Sequence, residues 1–404
     1  MKKKCSALVC VLLVLAASYL ALAGFSFAVF HLPWSVLERL PEAKRDQLIS
    51  SGVVSARQHP LYRDWLQSFV RTPNAPRDPD YVMDTYRAYG ETIHTRVDDD
   101  ASDFLGWANT ISPSDASVLF VGDSFTNGAS AGTRLSPPAV YARLTGAKVY
   151  NASLGGYGLG QYVRIIDMLT GGLAQEKRYA GKDVVVIVYL GNDLNSDLVL
   201  YSLRQKYSDD SLAWQLELGP LRAWARYLLS SYGLRPAFAA PTGLYSPAPM
   251  TCRTPGDLPF AWHPGYASFL DKENVMATLP MARRLISDLK ALESRGLSIK
   301  IVLVPSSIQV VDKDIDWNKI ASGARLAEDV PRIVQALEGV RAAAVQMFTA
   351  EGFAVLDVTD TLRASPDRCL YFQPADTHCT ALGFEAIGKA VAARWPELGR
   401  TPPN

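Results

Sequence analysis

An open α/β sandwich preceded by one apolar helix is the fold that this 404-residue sequence predicts. Two observations carry the prediction. From about residue 115, short β-branched apolar runs alternate with longer helical stretches, and one of them, Asp183 to Leu190 (DVVVIVYL), is apolar after its first residue. A run of that kind is a strand buried on both faces of a parallel sheet. Far upstream, Cys5 to Leu37 contains no Asp, Glu, Lys or Arg, and Lys2, Lys3 and Lys4 stand directly before it.

The N-terminal run comes first. Its apolar heart, Ala7 to Phe30, is long enough as a helix to cross a ~30 Å hydrocarbon core. The three lysines put the start of the chain on the cytoplasmic side and the remainder outside, and Trp34 suits the membrane–water boundary. Ala21-Leu22-Ala23 offers a small-residue cleavage site, so a removed signal peptide competes with a retained anchor. Continuation of the apolar run past that site to Phe30 favours a single-pass anchor in the cytoplasmic (inner) membrane, with the bulk of the chain on the periplasmic side.

Composition narrows the function. Apolar residues make up 48% and charged residues 20% of the chain, a globular balance. With 41 basic and 40 acidic residues the formal net charge is +1, which provides no concentrated basic face for nucleic acid. Residues 1–34 are thus expected to form the anchor, 35–114 a membrane-proximal region with proline breaks, and 115–398 the main domain. An insertion at about 195–264, rich in tyrosine and proline and carrying Trp214, Trp224 and Trp262, follows the strongest strand. Placed there, it is either a lid or platform at the sheet rim or added packing.

The strands of the main domain follow in order: Ser117–Val121, Lys148–Asn151, Asp183–Leu190, Ile299–Val304 and Phe353–Val358. Helical stretches at about 162–169, 276–294, 326–350 and 381–394 separate or follow them. Right-handed crossovers place the loops after all five strands on one rim of the sheet.

Four short blocks fall just after strands or at the end of the domain. Gly122-Asp123-Ser124 closes the first strand; a glycine before the turn permits tight geometry, and a following helix start would present its N–H groups. It is not the G-x-S-x-G elbow, because Thr126 holds the second glycine position. Asn151-Ala152-Ser153-Leu154-Gly155-Gly156-Tyr157-Gly158 follows the second strand, Gly191-Asn192-Asp193 the third, and Asp376-Thr377-His378 precedes the last helix. Taken singly, each is equally a turn or a cap. Of five histidines, at 31, 59, 94, 263 and 378, His378 has a carboxylate two residues away in such a setting. An acyl-transfer site needs a nucleophile, a base, a group orienting the base, and oxyanion donors; the four blocks hold a candidate for each.

In this order the blocks resemble the SGNH/GDSL hydrolase superfamily, over about residues 118–395. The resemblance implies a three-layer α/β/α sandwich with five parallel strands. It implies Ser124 as nucleophile, His378 as general base and Asp376 as the residue orienting it, with an oxyanion hole made by the N–H groups of Ser124 and Gly156 and the side-chain amide of Asn192. Many members place the aspartate three residues before the histidine, where this chain has Ala375; branches similar to alginate O-acetyltransferases carry Asp-x-His, as here. The expected activity is serine-dependent hydrolysis of an acylated carbohydrate or lipid. The alternatives are O-acetyl transfer to an exported polysaccharide, with polysaccharide-modification machinery as partner, and a non-catalytic polysaccharide-binding or assembly role. No phosphate-cradling Gly-x-x-x-x-Gly-Lys loop and no histidine pair with ligand spacing occurs, so no nucleotide or metal cofactor is expected.

Cys5 and Cys10 lie in or beside the apolar run, leaving Cys252, Cys369 and Cys379 in an export compartment that permits disulfides. Closeness in sequence favours Cys369–Cys379, with Cys252 paired to either as the alternative.

Overall fold

The computed structural model describes residues 2–37, 82–88, 91–96, 101–173, 178–194, 272–317, 324–373 and 378–400, with scattered positions such as Leu48, Val53, Trp224 and Cys252. Asp376 and most of the 195–264 insertion lie outside the described residues. The chain forms two units: residues 1–68 with 202–239, and residues 69–201 with 240–404.

In the first unit, α1 (Lys2–Phe30) is one uninterrupted helix. Its stretch from Leu13 to Phe30 is long and apolar enough to cross a membrane, and Leu13, Val14, Leu15, Leu20 and Phe25 are each more than half exposed. Water would not leave such a surface open, but lipid or another apolar partner would cover it. The helix end is packed. Val29 and Leu32 lean on a buried cluster of Leu37, Val53 and Val54, which Leu40, Leu48 and Trp224 also touch. Trp224 donates its indole N–H to Ser26 Oγ at 3.0 Å, and its ring stacks on Phe25. A segment of the insertion therefore belongs with the apolar helix.

The second unit opens with an antiparallel hairpin, β1 (Val82–Ala88) and β2 (Glu91–Arg96). Its main sheet consists of β3 (Val118–Gly122), β4 (Val149–Ser153), β5 (Asp183–Tyr189), β6 (Ser298–Val304) and β7 (Ala354–Asp357). All neighbouring pairs are parallel, in the order β4-β3-β5-β6-β7. Every residue of β3 and β5 is buried, as expected of central strands covered on both faces. Helices connect or follow the strands: α2 (Pro137–Thr145), α3 (Leu159–Asp167), α4 (Lys272–Ala291), α5 (Ser307–Val311), α6 (Ala324–Ala350) and, after a short α7 (Thr359–Ala364), α8 (Ala381–Arg394). Helices α2 and α8 pack together, whereas α4 packs with α3 and α6. The result is the three-layer α/β/α sandwich with a five-stranded parallel sheet.

This strand order has one switch point. From β3 the chain moves outward to β4, then returns to the other side of β3 as β5. The crevice of such a sheet opens at the carboxyl ends of the two strands that flank the reversal. Here those ends are Gly122 of β3, the first residue of Gly122-Asp123-Ser124, and Tyr189 of β5, two residues before Gly191-Asn192-Asp193.

At its outer edge, β4 is closed by a side chain. Asn109 donates Nδ2–H to the Asn151 carbonyl at 3.1 Å, while the Asn151 N–H donates to Asn109 Oδ1 at 2.8 Å. A single amide thus makes the pair of bonds that a sixth strand would make. Asp103 holds that segment in place, accepting from Leu105 and Trp107 N–H and from the Tyr150 hydroxyl at 2.6 Å.

The cysteines correct the expectation drawn from closeness in sequence. Cys252 is joined to Cys369 across 117 residues, and Cys379 is a buried thiol outside that bridge. Cys369 sits in the one-turn helix Arg368–Leu370, whereas Cys379 pairs across the backbone with Phe372 and lies beneath Gly383 in the first turn of α8. Ten residues of separation leave these two sulfurs in different packing environments.

Candidate active site

Ser124 opens a single helical turn, Ser124–Asn127, directly after β3. The approach to it is sterically fixed: a Cβ on Gly122 would lie 2.9 Å from the Ile187 carbonyl of the adjacent strand and would collide with the Thr126 side chain. Asp123 is the N-cap of the turn. Its Oδ1 accepts the Phe125 N–H at 2.8 Å, and its Oδ2 lies 3.4 Å from Ser124 Oγ. Ser124 is 6% exposed, and Asp123 is completely buried.

His378 reaches this turn from the far end of the chain. Its Nε2 is 2.8 Å from Ser124 Oγ, within the reach a general base needs. Backbone bonds pin the loop that carries it: the Gln373 N–H donates to the His378 carbonyl at 2.9 Å, and the Thr380 N–H to the Tyr371 carbonyl at 2.9 Å. Thr380 then caps α8 by accepting from the Gly383 N–H. Phe125 stands beside the imidazole, its ring centre 5.4 Å from that of His378, and its ring stacks on Tyr189 at 3.7 Å.

The glycine block runs beside Ser124. A Cβ on Gly155 would lie 3.6 Å from the Ser124 Cβ, so a side chain there would touch the serine, and glycine leaves that space open. Gly156 takes φ +79°, a left-handed conformation that side-chain-bearing residues adopt at a cost. The block is anchored at both ends, with the Leu154 N–H donating to the Gly122 carbonyl and the Gly158 N–H to Gln161 Oε1. Tyr157 is wholly buried against Trp107, and burial raises its phenol above the usual tyrosine range.

Asn192 lies in the turn after β5, and its side-chain oxygen is buried with no hydrogen-bond partner among the described residues. The neighbouring Asp193 shapes that turn by accepting from the Tyr189 N–H at 2.8 Å and the Tyr162 hydroxyl at 2.7 Å. Of the sequence-predicted residues, the structure thus brings Ser124 and His378 into contact, with the Gly155-Gly156 backbone alongside and Asn192 following the strand next to β3. Asp376 falls outside the described residues.

Asp123 is the member that sequence reasoning passed over. Burial pushes its carboxyl up to about 6, against the opposing pull of the Phe125 N–H, the His378 charge and the Ser124 hydroxyl. An acid one residue before a candidate nucleophile, at the expected N-cap of a following turn, was the available signal.

Among the described residues, Cys252, Asp314 and Cys369 place possible metal-ligand atoms close together. The two sulfurs are joined to each other, and both Asp314 oxygens accept from Arg368 at 2.7 Å. That donor set is already occupied.

No family model and no curated relative matches the chain. Among solved structures it is similar to an extracellular lipase from Streptomyces rimosus, with 13% identity and a TM-score of 0.36, over 68% of this chain and 98% of that one. It is similar to a lipase/acylhydrolase from Enterococcus faecalis, with 14% identity and a TM-score of 0.32, over 71% and 98%. A carbohydrate esterase family 2 enzyme with a carbohydrate-binding domain, from Corynascus thermopiles, gives 12% identity and a TM-score of 0.33, over 77% and 71%.

Proposed function

We propose that the chain is a membrane-anchored serine ester hydrolase of the SGNH/GDSL type, acting on an acylated carbohydrate or lipid outside the cytoplasmic membrane. The contact of 2.8 Å between His378 Nε2 and Ser124 Oγ, at the switch point of a parallel sheet, carries the reading. Residues 254 positions apart meet there at hydrogen-bond distance, between a hydroxyl and the one side-chain type that exchanges protons readily near neutral pH.

In this reading His378 takes the Ser124 proton as Oγ attacks the ester carbonyl. The tetrahedral oxyanion is held by the N–H groups of Ser124 and Gly156 and by the Asn192 amide, each such donor being worth ~10²–10³ in rate. The carbon–oxygen bond to the alcohol then breaks, the leaving oxygen takes the proton back from His378, and water releases the acyl group. Asp376 orients the imidazole. The exposed apolar length of α1 and the Cys252–Cys369 bridge support an exported, anchored chain.

The anchor and the Asp376-Thr377-His378 tripeptide also favour a second reading, in which a polysaccharide hydroxyl replaces water as acyl acceptor. Turnover of p-nitrophenyl acetate by the detergent-solubilised full chain tests the first reading, beside Ser124→Ala and His378→Ala. Wild-type turnover that falls to background in both variants is expected. Activity equal in all three proteins refutes it, and activity seen with an added glycan acceptor but not with water selects the transferase.

A further inference from the structure

One hydroxyl hydrogen on Ser124 has two acceptors. His378 Nε2 lies at 2.8 Å and Asp123 Oδ2 at 3.4 Å, and both groups are aimed at the same oxygen. When Nε2 of the imidazole carries no proton, the shorter contact is the hydroxyl donating to it. Once the imidazole carries a proton, Nε2–H becomes the donor to Oγ and the Ser124 hydrogen turns to Asp123. The carboxylate is fully buried, and its other oxygen is held by the Phe125 N–H, so it cannot swing away from this position. Facing it are the Ser124 hydroxyl and Phe125 N–H from its own turn and His378 from the loop before α8.

We propose that Asp123 is a positioning residue for the nucleophile: one carboxylate oxygen caps the turn, while the other takes up the Ser124 hydroxyl hydrogen when His378 is protonated, keeping Oγ beside the ring, and lends its negative charge to the imidazolium. This goes beyond the serine-hydrolase reading and rests on it. Charge attraction between Asp123 and His378 is mutual, so a carboxylate here favours the protonated imidazole. That helps the base accept the Ser124 proton during attack, and it also keeps the base occupied at lower pH.

The two duties of Asp123 can be separated. Asn is an equally good N-cap, as is Ser, but neither carries the charge. The test is the rate at which a fluorophosphonate labels the detergent-solubilised full chain, followed from pH 5 to 9. In that reaction the Ser124 oxygen–phosphorus bond forms, the phosphorus–fluorine bond breaks, fluoride leaves and the proton passes to His378. Asp123→Asn and Asp123→Ser are expected to melt cooperatively, to label at least tenfold more slowly above pH 8, and to show an acid limb moved to lower pH. Asp123→Ala should lose thermal stability as well as rate. Should Asp123→Asn not fold, Asp123→Ser gives the same reading. Wild-type rates with an unmoved acid limb in the capped variants overturn the inference alone. A wild-type chain that does not label, or that labels equally after Ser124→Ala, overturns the nucleophile assignment and this inference with it.

Discussion

The hydroxyl of Tyr162, on α3, donates to the buried carboxylate of Asp193 at 2.7 Å and so joins the loop after β4 to the turn after β5. Tyr162 also contacts the Tyr157 carbonyl at 3.3 Å, one residue beyond Gly156. The two loops named as oxyanion donors are therefore braced by one side chain. Tyr162→Phe removes a donor from a fully buried acid, a loss of about 1–3 kcal/mol. The expected result is a lower melting temperature together with slower turnover of p-nitrophenyl acetate, read from thermal unfolding and initial rates on the same preparation. A variant that melts with wild type would show that the brace carries no weight.

Asp123 gives stability a pH dependence of definite sign. Its carboxyl titrates at about 6 in the folded chain, because it is buried, against 3.8 when free. The native state therefore binds this proton more tightly than the unfolded chain does. The stabilisation is complete below about 3.8 and is lost as pH rises through 6. Asp123→Asn has no such proton to lose. Relative to wild type, its melting temperature should rise between pH 4 and pH 7, and a difference that stays flat over this range would contradict the assignment. Fold stability favours the protonated acid, whereas the inferred role in catalysis needs the ionised one.

The cysteines give a third test. Closing a loop of 117 residues constrains the unfolded chain by about 4–5 kcal/mol on chain-entropy grounds. Cys252→Ser should therefore lower the melting temperature by many degrees, and reductant should do the same to wild type. Cys379→Ser removes only a buried thiol and should cost much less. Peptide mapping without reductant should recover Cys252 and Cys369 in one linked fragment.

Much of the architecture was legible because its central strands are β-branched and apolar on both faces. Val118–Gly122 and Asp183–Tyr189 lie where such runs stand in the sequence. Helix α2 was missed because it begins Pro137-Pro138, which reads as a break; a serine N-cap followed by proline is in fact a start signal, and Ser136 accepts the Ala139 N–H there. Ser124 and His378, which meet at 2.8 Å, each stand in a short block that could be singled out locally. Asp123 could not be told from an ordinary capping acid until its second oxygen was placed beside the serine. Long-range pairings carry no local signal at all. The Cys252–Cys369 bridge and the contact of Trp224 with Ser26, 198 residues away, follow from packing that no short window contains.

The amide of Asn109 has a practical consequence for anyone shortening this protein. By engaging both the N–H and the carbonyl of Asn151, it ends the sheet where a further strand could add. A chain begun at residue 111 would keep all five strands of the main sheet, with Ser124 and His378. It would also bare the outer border of β4, and bared strand borders recruit one another. Such a fragment should stick to itself and elute as large particles in size-exclusion chromatography. One begun ahead of residue 101 retains the Asp103 clasp and the Asn109 plug, and should elute at the size of a single copy.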